Sequence, residues 1–214
     1  MTTMFLKNIL ELPVSRLSPI LRNTISIVDS VHRFSAVPSF PVVITRRRGE
    51  NGAYIYRTRP SRPEAIEISA HGDHIQLTLL HELGHLLDHM TLNPIKRGFA
   101  SQFDSTFDPL IRWWAEDRLV NDLSEMLRRY GRMETSWACR RLREELDPME
   151  LWARTYAQWV TVRSGDQELA QKLGELRLKG EYFAGRWCTL HWEEAEFGGI
   201  IPMVDRLMEE AGLR

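Results

Sequence analysis

The stretch from Ile75 to Met90 constrains this chain more than any other. Ile75, Leu79, Leu80, Leu83, Leu86, Leu87 and Met90 recur at helical spacing and predict a helix with one buried face. Asp73 is placed to cap its start. Within the stripe lies His81-Glu82-Leu83-Gly84-His85. Residues four apart on a helix stand one above the other, so both imidazoles can reach the same point and hold one metal ion. Two histidines at this spacing with an adjacent glutamate suit zinc, one ion per chain. Glu82 lies beside the pair and is expected to act as general base on a zinc-activated water without being a ligand. Gly84 costs about 1 kcal/mol of helix propensity relative to alanine, which suits a place where another element must pack closely under the metal. His89 continues the series but lies about 12 Å along the axis from His81, too far to share its ion. His89 and Asp88 are expected on a solvated face, and His71 and His74 outside the site.

A catalytic zinc site takes three protein ligands and keeps one position open. Two acid-bearing helical segments could supply the third. One begins at Glu150, in Glu150-Leu151-Trp152-Ala153-Arg154-Thr155-Tyr156-Ala157-Gln158-Trp159; the other carries Glu116 and Asp117 after Trp113-Trp114-Ala115. Composition and spacing leave both open. Arg154 and Tyr156 share the Glu150 helix, and the reading that needs least is an ion pair for Arg154 and a core place for Tyr156. The same economy assigns the seven tryptophans of the chain to a helical core rather than to substrate.

The Glu150–Trp159 stretch resembles the acid-bearing, aromatic-rich helix that follows the HExxH helix in zincin-like metallopeptidases of phages and mobile elements. Trp192-Glu193-Glu194-Ala195-Glu196-Phe197, followed by Ile201-Pro202 and Leu207, resembles the tail of such proteins. The likeness covers roughly residues 64–90 and 148–212. It implies a gluzincin-type ligand set of His81, His85 and Glu150, with Glu82 as base. The gap from His85 to Glu150 is long for that family and requires a helical insertion over about 100–146. The metzincin continuation is missing, because Asp88 stands where that family has glycine.

Upstream, Leu17, Ile20, Leu21, Ile25, Ile27, Val28 and Val31 predict a helical first 35 residues, with a start near Pro13 or Pro19. Strands are expected at Val42–Thr45, Ala53–Arg57 and Ala65–Ser69, with Asn51-Gly52 as the turn of a hairpin between the first two, Pro60 and Pro63 isolating the third, and that third strand as an edge. Beyond Asp104 helices are expected over about 109–130, 135–146, 148–164, 166–178 and 202–212, the third starting at Asp147-Pro148. The expected fold is α+β and helix-rich. A small mixed or antiparallel sheet packs on the HExxH helix, and a mostly helical C-terminal half follows, as in zincins. One domain, 1–214, would comprise an N-terminal helical segment (1–40), the sheet and HExxH helix (41–92), and a helical subdomain carrying the third ligand (93–214).

A net charge of −1 gives no general attraction to nucleic acid or to an anionic membrane, and Arg46-Arg47-Arg48 reads as a solvated strand end. Cys139 and Cys188 form neither a Cys-x-x-Cys pair nor a disulfide framework. The opening residues lack the features of a signal peptide, so a cytoplasmic location is expected. The functional expectation is a zinc metallopeptidase acting on a peptide or protein, the peptide pairing with the strand Ala65–Ser69. The alternative is a regulatory or phage- or toxin-associated zinc module without general peptidase activity, its zinc closed by His71, His74 or Asp88.

Overall fold

A computed structural model describes residues 3–35, 37–46, 51–59, 61–92, 98–130, 137–183 and 186–214. Short strands β1 (Thr3–Met4) and β2 (Leu10–Glu11) precede helix α1 (Ser18–Val31). Strands β3 (Phe34–Ser35), β4 (Phe40–Thr45), β5 (Gly52–Thr58) and β6 (Ser61–Ser69) follow, and then α2 (Ile75–Leu86). The helical half holds α3 (Asp108–Glu116), α4 (Arg118–Tyr130), α5 (Trp137–Glu145), α6 (Pro148–Ser164) and α7 (Gln167–Lys179). A hairpin of β7 (Glu181–Phe183) and β8 (Arg186–Cys188), then α8 (Glu194–Phe197) and α9 (Ile201–Glu210), complete the chain. The result is helix-rich α+β, with one four-stranded mixed sheet and a helical C-terminal half. Among the described residues no helix is long and apolar enough to cross a membrane.

Sheet order departs from the expectation. The strands run β2-β4-β6-β5, with β2–β4 and β4–β6 parallel and β5–β6 antiparallel. Asn51-Gly52 therefore opens β5 rather than turning a hairpin with β4; Arg47 to Glu50, between them, lie outside the described residues. Arg46 is exposed at the end of β4. The hairpin is β5–β6, despite Pro63. Only Ile66–Ser69 of β6 also pair with β4, so Pro63 lies where the strand is paired on the β5 side alone, the edge-like setting in which a strand tolerates proline. A register shift between Ile55 and Tyr56 absorbs the irregularity. The edge next to α2 is β5, and Ala65–Ser69 is interior.

Residues 3–11 are not α-helical. They form β1, a 3-10 turn (Leu6–Asn8) and β2, held in part by Asp29 of α1, which accepts the Leu6 N–H at 2.5 Å. The helix α1 begins with Pro19 in its first turn, where the lost N–H has no intrahelical partner anyway. It packs on α2 and α6 and ends at His32, which is 2% exposed. His32 Nδ1–H donates to the Arg33 carbonyl and Nε2 accepts from the Tyr156 hydroxyl, each at 2.7 Å.

Burial holds the His32 imidazole down to about 4. The unfolded chain takes this proton below about pH 6.5 and the folded chain does not, so stability present at pH 7 falls as the pH drops, by about 2 kcal/mol at pH 5. His32→Gln has no such proton to take. In urea titrations the stability advantage of the wild type over this variant is expected to narrow by that amount between pH 7 and pH 5. An unchanged difference would show that His32 titrates alike in both states.

Helix α2 is the hub. Leu79, Leu80, Leu83, Leu86 and Leu87 are fully buried between β5 and β6 on one side and α1 and α6 on the other. Its N-cap position is taken by His74, while Asp73 pairs with Lys179 of α7 at 2.5 Å. The helix then widens into a π-helical turn, Leu87–Thr91, closed by the Leu92 N–H on the Leu87 carbonyl at 2.8 Å. Four of the tryptophans, Trp114, Trp152, Trp159 and Trp192, are core residues as expected. The side chains of Trp137, Trp187 and Cys188 lie outside the described residues; Cys139 is buried.

Candidate metal centre

His81 and His85 stand one turn apart on α2, facing the first turn of α6. Asp147 starts α6 as its N-cap, accepting the Met149 N–H at 3.0 Å, and Pro148 takes the first helical position. That start fixes Glu150 opposite the two imidazoles. His81 Nε2 lies 3.1 Å from Glu150 Oε2, His85 Nε2 lies 3.4 Å from Glu150 Oε1, and the two Nε2 atoms are 3.2 Å apart. A tetrahedral zinc with bonds of about 2.0–2.1 Å would set its ligand atoms about 3.3–3.4 Å apart, so the three donors fit that ion. Among the described residues no fourth histidine, cysteine, aspartate or glutamate joins the group.

The spacing depends on Gly84. A Cβ there would stand 2.7 Å from Ala153 Cα and 3.2 Å from the Ala153 carbonyl. The helices α2 and α6 therefore touch backbone to backbone, one residue before His85 and three after Glu150. The Trp152 indole N–H donates to the Gly84 carbonyl at 2.9 Å across the same contact.

Glu82 points toward β5. It is 5% exposed, Gly52 packs so tightly that a Cβ there would come within 2.9 Å of Glu82 Oε1, and the Tyr54 backbone donates to the carboxylate. Burial pushes the Glu82 carboxyl up, against the pull of His81 and His85. Burial would also raise Glu150, but hydrogen bonds from both histidines and their charge outweigh it and hold that carboxyl below the usual range. His81 shows the reciprocal effect. Burial pushes it down, and the Glu150 hydrogen bond and charge lift it above its ordinary value.

The other acids do different work. Glu116 is exposed at the end of α3. Asp117 accepts the Val120 N–H at 3.2 Å, starting α4, and the Trp192 indole N–H at 3.1 Å. Arg154 pairs with Glu145 at 3.0 Å, and Tyr156 bonds His32 in the core. Asp88 and His89 are not solvated; both are fully buried. The π-helical turn carries His89 off the row of His81 and His85 and into the sheet, where its ring nitrogens meet the Tyr54 hydroxyl at 2.8 Å and Ser61 Oγ at 2.6 Å. Asp88 accepts the Ser101 N–H at 2.8 Å and its hydroxyl at 2.5 Å, and burial lifts its carboxyl to about 6. His71 is exposed.

Three residues escaped the sequence reading. Gly52 and Tyr54 hold Glu82, and His191 lies within electrostatic reach of His81. No local pattern marks His191, 110 residues from the motif. Compared with protein-family models, with curated proteins and with solved structures, the chain matches none. The functional reading rests on the geometry.

Proposed function

We propose that this chain is a zinc-dependent metallopeptidase of zincin-like, gluzincin-type architecture. One zinc ion is held by His81, His85 and Glu150, and Glu82 acts as the general base. The observation that carries the reading is the pairing of two features. Three donors converge with spacings suited to one tetrahedral ion, no fourth side-chain donor joins them among the described residues, and a buried carboxylate stands directly beside them. Structural zinc sites are closed by four protein ligands, whereas catalytic ones use three.

Zinc would supply a Lewis acid that acidifies water and polarises a carbonyl. The protein does the rest. Glu82, its carboxylate aimed by the Tyr54 N–H and confined by Gly52, takes a proton from the attacking water and passes it to the leaving amine. Its raised affinity for protons, caused by burial, suits it to both halves of that transfer. The outer edge of β5 would offer backbone groups to an extended peptide next to the metal helix, in place of the interior strand Ala65–Ser69.

The test is zinc per chain by elemental mass spectrometry, on wild type and Glu150→Ala prepared together. Near one ion in the wild type and well below that in the variant is expected. Equal zinc in both would remove Glu150 from the ligand set, and none in the wild type after reconstitution would end the reading. One ion per chain that no hydroxamate can approach would favour a closed, regulatory site.

A further inference from the structure

Beside the metal ligands, three elements each bring in a buried nitrogen that has no hydrogen-bond partner among the described residues. The first is His74, the N-cap residue of α2, seven residues before His81. The second is Arg177 of α7. That helix is tied along the start of α2 at two points, since Lys172 Nζ donates to Gln76 and Lys179 pairs with Asp73 at 2.5 Å. The two ties bracket Arg177 on α7 and His74 on α2. The third is His191, in the loop after β8. Arg154 Nη1 donates to the Leu190 carbonyl at 3.3 Å and Gln158 Nε2 to the Trp192 carbonyl at 2.9 Å. Both neighbours of His191 are thus fastened to α6, the helix that begins with Glu150.

His74 Nδ1, Arg177 Nε and His191 Nδ1 are buried without a hydrogen-bond partner among the described residues. Buried polar nitrogens left unmatched are costly, and a cluster of them calls for a ligand. Arg154, His81, Arg177 and His74 all lie within electrostatic reach of His191. Arg154 is already paired with Glu145, at 3.0 Å, and His81 with Glu150, at 3.1 Å. Arg177 enters no ion pair among the described residues.

We propose that Arg177, with His74 and His191, binds a carboxylate group of the peptide that lies across the metal centre. A planar guanidinium matches a carboxylate in shape as well as charge. Burial, with the neighbouring cations, holds His191 down to about 3, so it is neutral at pH 7 and still offers one N–H. The carboxylate is either the free C-terminus or an acidic side chain near the scissile bond. The ligand's being a peptide rests on the metallopeptidase reading; the pocket is made of protein groups alone.

The test is peptide binding by calorimetry on Glu82→Gln protein, zinc-loaded and metal-free. The probes are acetyl-pentaalanine with a free C-terminus, the same peptide amidated, and an amidated peptide with a central Asp. One carboxylate-bearing probe is expected to bind roughly tenfold or more tightly than the neutral one. Arg177→Met should erase that preference, and Arg177→Lys should keep part of it, which guards against a variant that merely folds poorly. Preference for the free C-terminus would indicate trimming from that end; preference for Asp would indicate internal cleavage. Equal binding of all three probes, with zinc bound as expected, overturns the carboxylate pocket and leaves the peptidase reading intact. A persistent preference in a chain that never takes up zinc would keep the pocket and reject the peptidase.

Discussion

Glu82→Gln is expected to hold its zinc and to lose hydrolysis by about a hundredfold to ten-thousandfold, the usual weight of a positioned acid–base group. The substitution preserves shape. A carboxamide oxygen still accepts the Tyr54 N–H, and Gly52 still confines the side chain. His81, His85 and Glu150 keep their places, so metal content should match the wild type. What disappears is the ability to take a proton. Because burial disfavours the charged carboxylate, the neutral variant should melt no lower than the wild type. Cleavage of a proteome-derived peptide mixture, read by mass spectrometry alongside zinc content, checks both halves. A variant that cleaves as fast as the wild type would exclude Glu82 as the base; one that loses its zinc would make Glu82 part of the ligand set.

Gly84→Ala should damage folding and metal binding together. The new Cβ meets Ala153 Cα at 2.7 Å and the Ala153 carbonyl at 3.2 Å, and backbone cannot swing aside as a flexible side chain would. The helices must part, and overpacking of this kind costs about 1–3 kcal/mol. The helix propensity gained by replacing glycine returns about 1 kcal/mol of that. Parting α2 from α6 also draws Glu150 away from the imidazoles and stretches the bond from Trp152 to the Gly84 carbonyl. Zinc affinity, by chelator competition, should fall by tenfold or more, since about 1.4 kcal/mol accounts for each factor of ten. Gly174→Ala on α7 is the control, because nothing lies within 4 Å of a Cβ there. It should raise the melting temperature slightly and leave zinc affinity alone. If the two variants behave alike, close helix contact is not what places Glu150.

The features legible in the sequence were those that local spacing encodes. The α2 stripe, the paired histidines and the Asp147-Pro148 start of α6 depend on neighbours within a turn or two. The β-branched runs announced strands, but pairing joins distant residues, so nothing in Asn51-Gly52 revealed that β6 would lie between β4 and β5. The break between α3 and α4 was missed because it uses neither glycine nor proline. Asp117 in an extended conformation makes it by capping Val120, and an aspartate in an apolar helical run was the available signal. The spacing rule placed His89 on a regular helix; the π-helical turn voids that rule just after the motif. Glu150 needed a resemblance because its partners are 65 or more residues away, and His191 lacked even that.

The central place of β6 bears on how the chain comes together. Parallel strands cannot be joined by a tight turn, and here the detour from β4 to β6 is filled by a strand rather than a helix. The β5–β6 hairpin closes over a few residues, whereas the pairing of β4 with β6 must span the whole of β5. Loop-closure entropy favours the short closure first. The hairpin should therefore assemble as a unit and add to β4 from the side, so that the surface beside Glu82 is built before the sheet that supports it is complete.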